Sequence, residues 1–448
     1  MEIIFPLLSC LLSVTDYTTV RHFAVIADAI MAMPGRVNML NISRWAGPGG
    51  SYRNIQRIYM TPFEWLKIHW FFIRHHFINK NGDIVIAGDE VVVSKSGKST
   101  HGIGRFFSSL VGKPISSLSF QVLSLISVDD RKSYPICLEQ MTKPLKEEEP
   151  ESGKKSSRAG KKSSKKSKNK KKGRPKGSKN RNPQDVELSP GLVFLKTMID
   201  SLLKMIGSDI TVIYFVYDGA LGNNKAVQAI KSLGLKLISK IRYDSALYFP
   251  YEGPYSGRGR PKKYGEKIDY DNIPDKYLKN SIIEDGIRTD YYQMEMLHKK
   301  FTDILNIVII VKTDINTGKK AHAILFTTDT DLSWEKICDY YSLRFQIEFN
   351  FRDAKQFWGL EDFMNIREQA VINAANISIL MVNISHEIKK LPDFSGMSIL
   401  DIKTWFRAGK YVRETLKLLP ELPEPVFIKS LINRIAALGR INRVKEPV

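Results

Sequence analysis

The sequence predicts an α/β protein in which a mixed sheet is flanked by helices, with further helical regions at both ends of the chain. Three observations predict this class. Helical periodicity dominates before about residue 80, runs rich in Ile and Val begin at residue 83, and helical periodicity returns after Trp334. Strands followed by alternating helices and strands are typical of a mixed sheet with inserted segments. The 448 residues suffice for about two to four domains.

The N-terminal region is predicted to be helical. Thr18–Met33 and Leu40–Trp45 have helical spacing, and the stretch between Leu40–Trp45 and the next helix is rich in glycine. Ser51–Met60 predicts a third helix whose first residue is a good N-cap, with Arg53 and Arg57 on one face. Short helices around a glycine-rich turn favour either a helix-turn-helix DNA-binding unit or an ordinary helical cap.

The net charge predicts a polyanionic partner. The 68 basic and 47 acidic residues leave +21, and nucleic acid is the commonest polyanion in a cell. Residues 153–182 alone hold 15 Lys or Arg and no acid, which leaves +6 for the remainder. This tract is alternatively a solvated tail or a localisation signal. Its Lys, Ser and Gly composition predicts a disordered insert over residues 145–190.

Several other classes of protein are disfavoured by composition. The cysteines at positions 10, 137 and 338 are far apart with no CxxC pair, so we expect no disulfide framework, no zinc site and a cytoplasmic location. Residues 1–14 are apolar but lack a basic start, which argues against a signal peptide. No apolar run approaches the roughly 20 residues that span a bilayer, so no membrane association is expected.

The middle of the chain is predicted to supply the sheet. We expect an antiparallel meander of strands at Asp83–Val93, Ser119–Val128 and Ser133–Gln140. The remaining predicted elements are helix Leu192–Met205, strand Thr211–Tyr217, a helix after Asn223, and strands at Leu235–Ile241, Ile282–Met294, Ile307–Val311 and Ala323–Thr327.

Two carboxylates are associated with these strands. Asp89 lies inside an apolar strand, where an acid is costly unless it is paired or binds a cation. Asp218 ends another strand, at the edge where open sheets bind ligands, although Asp-Gly after a strand is also typical of a simple turn. Two such acids can hold a hard cation through oxygen. Glu90 is a competing acid that strand alternation directs to the opposite face.

A third acid lies in a segment, Tyr340–Lys355, that predicts one continuous helix. At about 100° per residue, Tyr341, Arg344, Glu348 and Lys355 fall within roughly 60° of one another. The stripe therefore offers a carboxylate ligand between groups that bind phosphates. The same stripe is also typical of a solvated helix face with ordinary pairing of Arg344 and Glu348.

The spacing Tyr-x2-Arg-x3-Glu-x6-Lys, from Tyr341 to Lys355, resembles the signature of DDE transposases of bacterial insertion sequences. Val216-Tyr217-Asp218-Gly219-Ala220, followed by Asn223, resembles the block around the family's second aspartate, and Asp89 has the position of the first. The resemblance covers about residues 83–390. It implies a ribonuclease H-like mixed-sheet catalytic core with a β-rich insertion, and it outweighs the solvated-helix interpretation.

The resemblance also implies a chemistry and partners. Asp89, Asp218 and Glu348 would be the catalytic residues and would bind two Mg²⁺ ions, with Mn²⁺ able to substitute. The activity would be cleavage of transposon ends and joining to target DNA, by a homodimer on DNA in the bacterial cytoplasm or nucleoid. The residues expected to contact DNA in this segment are Tyr341, Arg344, Arg352 and Lys355.

A second DNA-binding segment is predicted at residues 257–262. Its Gly-Arg-Gly-Arg-Pro-Lys sequence contains Arg258, Arg260 and Lys262 and suits a narrow A·T-rich minor groove. It also looks like a recurring element of related transposases. A shorter Gly-Arg-Pro-Lys at residues 173–176 lies in low-complexity sequence, where chance matches are common.

These predictions divide the chain into five regions. They are a helical DNA-binding region (1–80), a first part of the catalytic core (81–242, with the insert 145–190), a β-rich insertion (243–310), a second part of the core (311–390) and a C-terminal helical region (391–448). Two alternatives remain open, a ribonuclease H-like nuclease or resolvase and a domesticated DNA-binding protein. A recombinase with a covalent Ser or Tyr nucleophile is disfavoured, since no Arg/His cluster surrounds a candidate nucleophile.

Overall fold

The computed structural model describes residues 2–79, 82–108, 111–142, 187–255, 257, 259–419 and 423–438. The predicted disordered insert at 145–190 lies outside these residues except for 187–190. The helices are α1 (Ile4–Leu8), α2 (Tyr17–Ala32), α3 (Met39–Trp45), α4 (Tyr52–Met60), α5 (Trp65–His76), α6 (Pro190–Ile206), α7 (Asn224–Lys231), α8 (Trp334–Leu343), α9 (Gln346–Gln356), α10 (Glu368–Ile388), α11 (Ile399–Leu416) and α12 (Pro425–Ala437). The strands are β1 (Ile84–Ser94), β2 (Gly104–Ser108), β3 (Lys113–Ser127), β4 (Lys132–Met141), β5 (Val212–Val216), β6 (Lys236–Ile241), β7 (Leu247–Pro250), β8 (Tyr264–Lys267), β9 (Leu278–Glu284), β10 (Ile287–His298), β11 (Leu305–Asp314) and β12 (Lys320–Thr327).

The strands of the described residues form one mixed sheet in the order β2-β3-β1-β5-β6-β12-β11-β10-β7-β8, with β4 beside β3 and β9 beside β10. Strands β1, β3 and β4 pair antiparallel, as the predicted meander requires. Strand β5 then joins β1 in parallel, and β6 joins β5 in parallel. The order β4-β3-β1-β5-β6 with these directions is the ribonuclease H-like arrangement, so the predicted fold class is confirmed.

Helices cover the sheet and bury its apolar side chains. Helices α5, α9 and α10 pack against β4, while α7 and α8 pack against β6. The largest fully buried side chains include Trp70, Phe120 and Phe215, which come from a covering helix and from two strands. The core therefore lies between the ribonuclease H-like strands and the helices on either side, and it fixes the positions of β1 and β5.

The N-terminal helices form where the sequence predicts them. Each of the first three predicted helices begins after a polar residue whose side chain accepts a backbone N–H of the first turn. These N-caps are Asp16, Asn38 and Ser51. Arg53 and Arg57 are both exposed on α4.

The two ends of the chain pack on each other. The last carbonyl groups of α2 lack partners within their own helix, and side chains of α11 supply them. Lys403 Nζ donates to the carbonyl of Ile30, and Arg407 Nε donates to the carbonyl of Ala32 at 3.1 Å. The three cysteines are free. No helix among the described residues is long and apolar enough to cross a membrane.

The strand predicted at Ile282–Met294 is wrong as a single element. The chain turns back at Asp285-Gly286, and the residues on either side pair as the antiparallel hairpin β9–β10. Both turn residues have positive φ, 49° for Asp285 and 75° for Gly286. Asp-Gly is the preferred sequence for such a two-residue hairpin turn, because its backbone twist matches that of the strands.

The single helix predicted at Tyr340–Lys355 is also wrong, since α8 ends at Leu343 and α9 begins at Gln346. The N–H groups of Phe345, Ile347 and Glu348 each donate to the carbonyl three residues earlier, at 3.0 Å. Hydrogen bonds that span three residues, as in a 3₁₀-helix, wind the backbone more tightly than the four-residue spacing of an α-helix. A tight turn at Arg344 therefore separates Tyr341 on α8 from Glu348 on α9.

Candidate active site

Asp218 follows the carboxyl end of β5, and Asp89 lies beside it within β1, just beyond the residues of β1 that pair with β5. Strands β1 and β5 pair with Ala87 opposite Val216, and each acid follows two residues later on its own chain. A step of two residues keeps the side-chain direction in an extended strand, and neighbouring strands are about 4.8 Å apart. The side chain of Asp218 also accepts the N–H of Ala220 at 3.0 Å, which caps the short turn after β5.

Arg344 joins the third acid to this edge of the sheet. Its NH1 donates to Asp89 Oδ2 at 2.9 Å, and its NH2 lies 3.7 Å from Glu348 Oε1. The side chains of Arg344 and Asp89 are 13% and 19% exposed, whereas that of Glu348 is 44% exposed. The guanidinium carbon lies 5.8 Å from the ring centre of Tyr341. The tight turn after α8 thus brings Tyr341, Arg344 and Glu348 to Asp89.

The electrostatics of Asp89 show that the three acids share one environment. The pKa of Asp89 is raised to about 6, chiefly because the carboxyl group is buried; the negative charges of Asp218 and Glu348 add to this shift, while Arg344 and the N–H of Glu90 oppose it. Burial likewise raises the pKa of Tyr341, with Asp218 and Asp89 adding to the effect and Arg344 opposing it. Concentrated negative charge of this kind favours a bound cation.

The competing acid Glu90 points elsewhere. It is exposed and accepts a hydrogen bond from the hydroxyl of Ser119 on β3. Strand alternation therefore separates it from Asp89, as predicted.

Two linked hydrogen bonds, which the sequence analysis did not predict, hold the backbone at Asp89. Gln121 Nε2 donates to the carbonyl of Asp89 at 3.0 Å, and the hydroxyl of Tyr217 donates to Gln121 Oε1 at 3.1 Å. Tyr217 directly precedes Asp218, so these two hydrogen bonds connect the strand segments that carry the two aspartates. In the sequence, the feature that could have indicated this link is Gln121, a long polar residue within a stretch of β3 that otherwise holds only apolar residues and serines. In the structure it is buried.

Gly88 allows the ring of Tyr217 to lie against β1. A Cβ at Gly88 would lie 2.9 Å from two ring carbons of Tyr217 and 3.0 Å from Phe215 Cζ. We expect Gly88→Ala to displace the ring, to break its hydrogen bond to Gln121 and to lower the free energy of unfolding by about 1–3 kcal/mol. Urea denaturation measures this change. Gly191→Ala is the matched control, because its Cβ would meet nothing within 4 Å, and an equal loss in both variants would contradict the steric explanation.

Lys355 and Arg352 do not join the three acids. Lys355 Nζ donates to the carbonyl of Val92 at 2.8 Å and pairs with Glu361 at 3.3 Å, so it lies farther along β1. Arg352 is 54% exposed and pairs with its neighbour Asp353 at 3.2 Å. The predicted four-residue stripe is therefore divided, with Lys355 and Arg352 outside the group around Asp89.

The other predicted DNA-contacting residues that the structure describes have no contact with the three acids among the described residues. Arg260 is exposed, and Lys262 Nζ lies 4.6 Å from the ring centre of Tyr251. Arg53 and Arg57 are exposed on α4. These four side chains are available to a ligand in solution. The predicted residue Arg258 falls outside the described residues.

The chemistry of the three acids fits a hard divalent cation, because all three offer carboxylate oxygens and Asp89, which is partly buried, feels the negative charges of the other two. In the described part of the chain, no three His, Cys, Asp or Glu side chains stand close enough together to hold a metal ion in the present arrangement. The Arg344 guanidinium instead provides the positive charge beside Asp89.

The chain is similar to a known protein family and to solved structures of other proteins. A search of curated proteins found none that matches the chain. The cryo-EM structure of a piggyBac transposase synaptic complex with hairpin DNA aligns over 97% of this chain and 78% of that chain, with 10% identity and a TM-score of 0.41. That score is too low to define the fold, which the strand order defines instead.

The family model described as DDE superfamily endonuclease matches residues 8–290, which is more than half of the chain. The matched range contains Asp89 and Asp218 and ends before Glu348, so the association of Glu348 with them depends on the contacts of Arg344 and on the shared electrostatics. With a ribonuclease H-like core and neighbouring aspartates on its central strand and at the end of the adjacent parallel strand, the chain belongs to the DDE superfamily of endonucleases.

Proposed function

We propose that this endonuclease is a DNA transposase of the bacterial insertion-sequence type, which cleaves transposon ends and joins them to target DNA. The observation that carries the proposal is that Arg344 joins Glu348 to Asp89, which itself lies beside Asp218 where the pairing of β1 and β5 ends. The Tyr-x2-Arg-x3-Glu-x6-Lys spacing supports the insertion-sequence branch. A ribonuclease H-like nuclease would use the same acids, but the spacing favours strand transfer.

The three acids would hold two Mg²⁺ ions, with Mn²⁺ as a substitute. When bound, such ions supply Lewis-acid stabilisation of the charge that develops on a phosphodiester and activate the attacking oxygen. The chain itself supplies orientation. Gln121 and Tyr217 fix the backbone at Asp89 through hydrogen bonds. Because Asp89 and Asp218 are partly buried, fewer water molecules compete for their carboxylate oxygens.

The basic side chains would bind the DNA substrate. Arg344 and Tyr341 lie beside the acids and would contact the phosphate at the cleaved bond. Farther out, Arg352 and Lys355 would contact neighbouring phosphates. The exposed residues Arg53, Arg57, Arg260 and Lys262 would contact DNA away from the cleaved bond, and so would Arg258. Holding two transposon ends together requires two active sites, so we expect a homodimer on DNA.

Replacing Glu348 by alanine tests this function. We expect metal-dependent nicking at the element's own ends by the wild type, and a loss of at least about a hundredfold in the variant, because one carboxylate ligand is removed. The measurement is cleavage of an end-containing duplex with Mg²⁺, followed by joining to a target plasmid. Glu335→Ala is the matched control, since Glu335 is an exposed glutamate of the preceding helix.

Each outcome decides between the readings. Nicking that disappears only in Glu348→Ala, followed by joining, supports the transposase. Nicking without joining favours a ribonuclease H-like nuclease, and tight binding without cleavage favours a domesticated DNA-binding protein. Cleavage that survives Glu348→Ala shows that the assigned acids are wrong.

A further inference from the structure

The position of Arg344 conflicts with the cation that the acids would hold. Its guanidinium donates to Asp89 Oδ2 at 2.9 Å and lies 3.7 Å from Glu348 Oε1. Both oxygens belong to the proposed metal ligands, and the Arg344 side chain is only 13% exposed. A guanidinium and a divalent cation cannot occupy the same side of one carboxylate, because their charges repel and their volumes overlap.

The present hydrogen bonds of Arg344 are also incomplete. The 3.7 Å separation from Glu348 is too long for a hydrogen bond and leaves an ion pair only. The Nε–H is buried and has no acceptor among the described residues. A guanidinium has five N–H donors in a planar fork that matches two phosphate oxygens. A DNA phosphate at this site would therefore offer Arg344 more complete bonding than Asp89 does.

The backbone around Arg344 suits a change of partner. Arg344 follows the last residue of α8 and precedes the start of α9, in the tight turn with three-residue hydrogen bonds. Such stretches between α-helical segments often mark functional hinges. The long side chain can redirect its guanidinium there without unfolding either helix.

We propose that Arg344 couples metal binding to DNA binding. In the DNA-free protein Arg344 holds Asp89 and Glu348 and competes with the divalent cation. A DNA phosphate draws the guanidinium away, and the freed carboxylates then bind the metal. The metal and DNA consequently bind cooperatively, and the enzyme acquires its cation only on its substrate. This inference rests on the proposed function, because it takes Asp89 and Glu348 as metal ligands.

Mn²⁺ binding to the full-length chain tests the coupling, with free Mn²⁺ measured by electron paramagnetic resonance. Without DNA, we expect Arg344→Ala to bind Mn²⁺ about fivefold or more tightly than the wild type. A duplex carrying the transposon end, at saturating concentration, should raise the Mn²⁺ affinity of the wild type but not that of Arg344→Ala. Thermal unfolding confirms that each variant is folded, and Arg344→Gln serves as a second variant that removes the charge but keeps a polar side chain.

Two further variants make the result specific. Lys336→Ala removes an exposed positive charge on α8, the helix that Arg344 follows, that contacts none of the three acids, and its Mn²⁺ affinity should equal that of the wild type. Asp89→Asn should lose Mn²⁺ binding. Equal affinities of wild type, Arg344→Ala and Arg344→Gln without DNA would overturn the coupling while leaving the metal site intact. Unchanged Mn²⁺ binding by Asp89→Asn would instead overturn the proposed function.

Discussion

Asp89→Asn is expected to abolish cleavage and, at neutral pH without metal, to make the protein more stable. Cleavage should fall by at least about a thousandfold, because Asp89 is one of the carboxylates that would hold the metal ions, and such ions supply several kcal/mol of transition-state stabilisation. Stability should rise because burial raises the pKa of Asp89 to about 6, so the folded protein resists the charged form. Asparagine has nearly the same shape as the protonated aspartic acid but cannot lose a proton, so it stays neutral at every pH.

The sign of the pH dependence follows from the two states of the carboxyl group. In the unfolded chain Asp89 ionises near its ordinary pKa of 3.8, whereas in the folded protein it keeps its proton up to a pKa of about 6. The folded state therefore binds more protons between these values, and stability falls as pH rises through this window. We expect the stability difference between Asp89→Asn and the wild type to grow from about pH 4 to 6. It should reach at most about 3 kcal/mol above that window.

Urea denaturation of the metal-free proteins at pH 4, 5, 6 and 7.5 measures this difference. Glu90→Gln is the matched control, since Glu90 is the next residue, is exposed and points away from Asp89. It should leave cleavage unchanged and show no comparable pH-dependent gain. A wild type that is more stable than Asp89→Asn at pH 7.5 without metal would contradict the prediction. The arrangement would exchange stability for a site that binds cations.

The sequence is sufficient to predict the sheet that carries Asp89 and Asp218, because dense Ile and Val runs mark their strands whatever lies around them. The tight turn at Arg344 is not predictable in this way. Over a single turn, a backbone whose hydrogen bonds span three residues has nearly the same sequence periodicity as an α-helix. In addition, the hydrogen bond between Arg344 and Asp89 joins residues that are 255 positions apart in the sequence. The Tyr217–Gln121 link is equally long-range, since it depends on strand order and register.

The β9–β10 hairpin is a different case, because its signal was present in the sequence. Asp285-Gly286 between residues that favour strands is a strong local signal for a two-residue turn. Two Ile residues before it, and Ile287 and two Tyr residues after it, favour one long strand when periodicity alone is considered. Turn chemistry should therefore outweigh periodicity wherever Asp-Gly interrupts an apolar run.

The attachment of the N-terminal helices to the core is another feature that the sequence does not disclose. Asn373 on α10 is fully buried, and its Nδ2 donates to the carbonyls of Ile58, Tyr59 and Thr61 at 3.2, 2.9 and 2.7 Å. Its Oδ1 accepts the indole N–H of Trp65 at 2.8 Å. One side chain thus satisfies the end of α4 and the start of α5 together.

Asn373→Ala is expected to lower the free energy of unfolding by about 3 kcal/mol or more, because it leaves buried carbonyls and an indole N–H without partners. Urea denaturation measures the loss. Amide hydrogen exchange should become faster in the variant than in the wild type, and this increase should be larger in α4 than in β3. Since α4 carries Arg53 and Arg57, DNA binding should weaken as well if this helix contacts DNA.

Gln369→Ala separates this role from a general effect of shortening a side chain on α10. Gln369 is half-buried and donates one hydrogen bond to Asn373 Oδ1 at 3.0 Å, so its loss should cost under about 1 kcal/mol. A loss below about 1 kcal/mol in Asn373→Ala as well would mean that water or a rearranged backbone replaces the amide. The N-terminal helices would then be joined to the core by apolar packing alone, and α4 would exchange no faster in the variant than in the wild type.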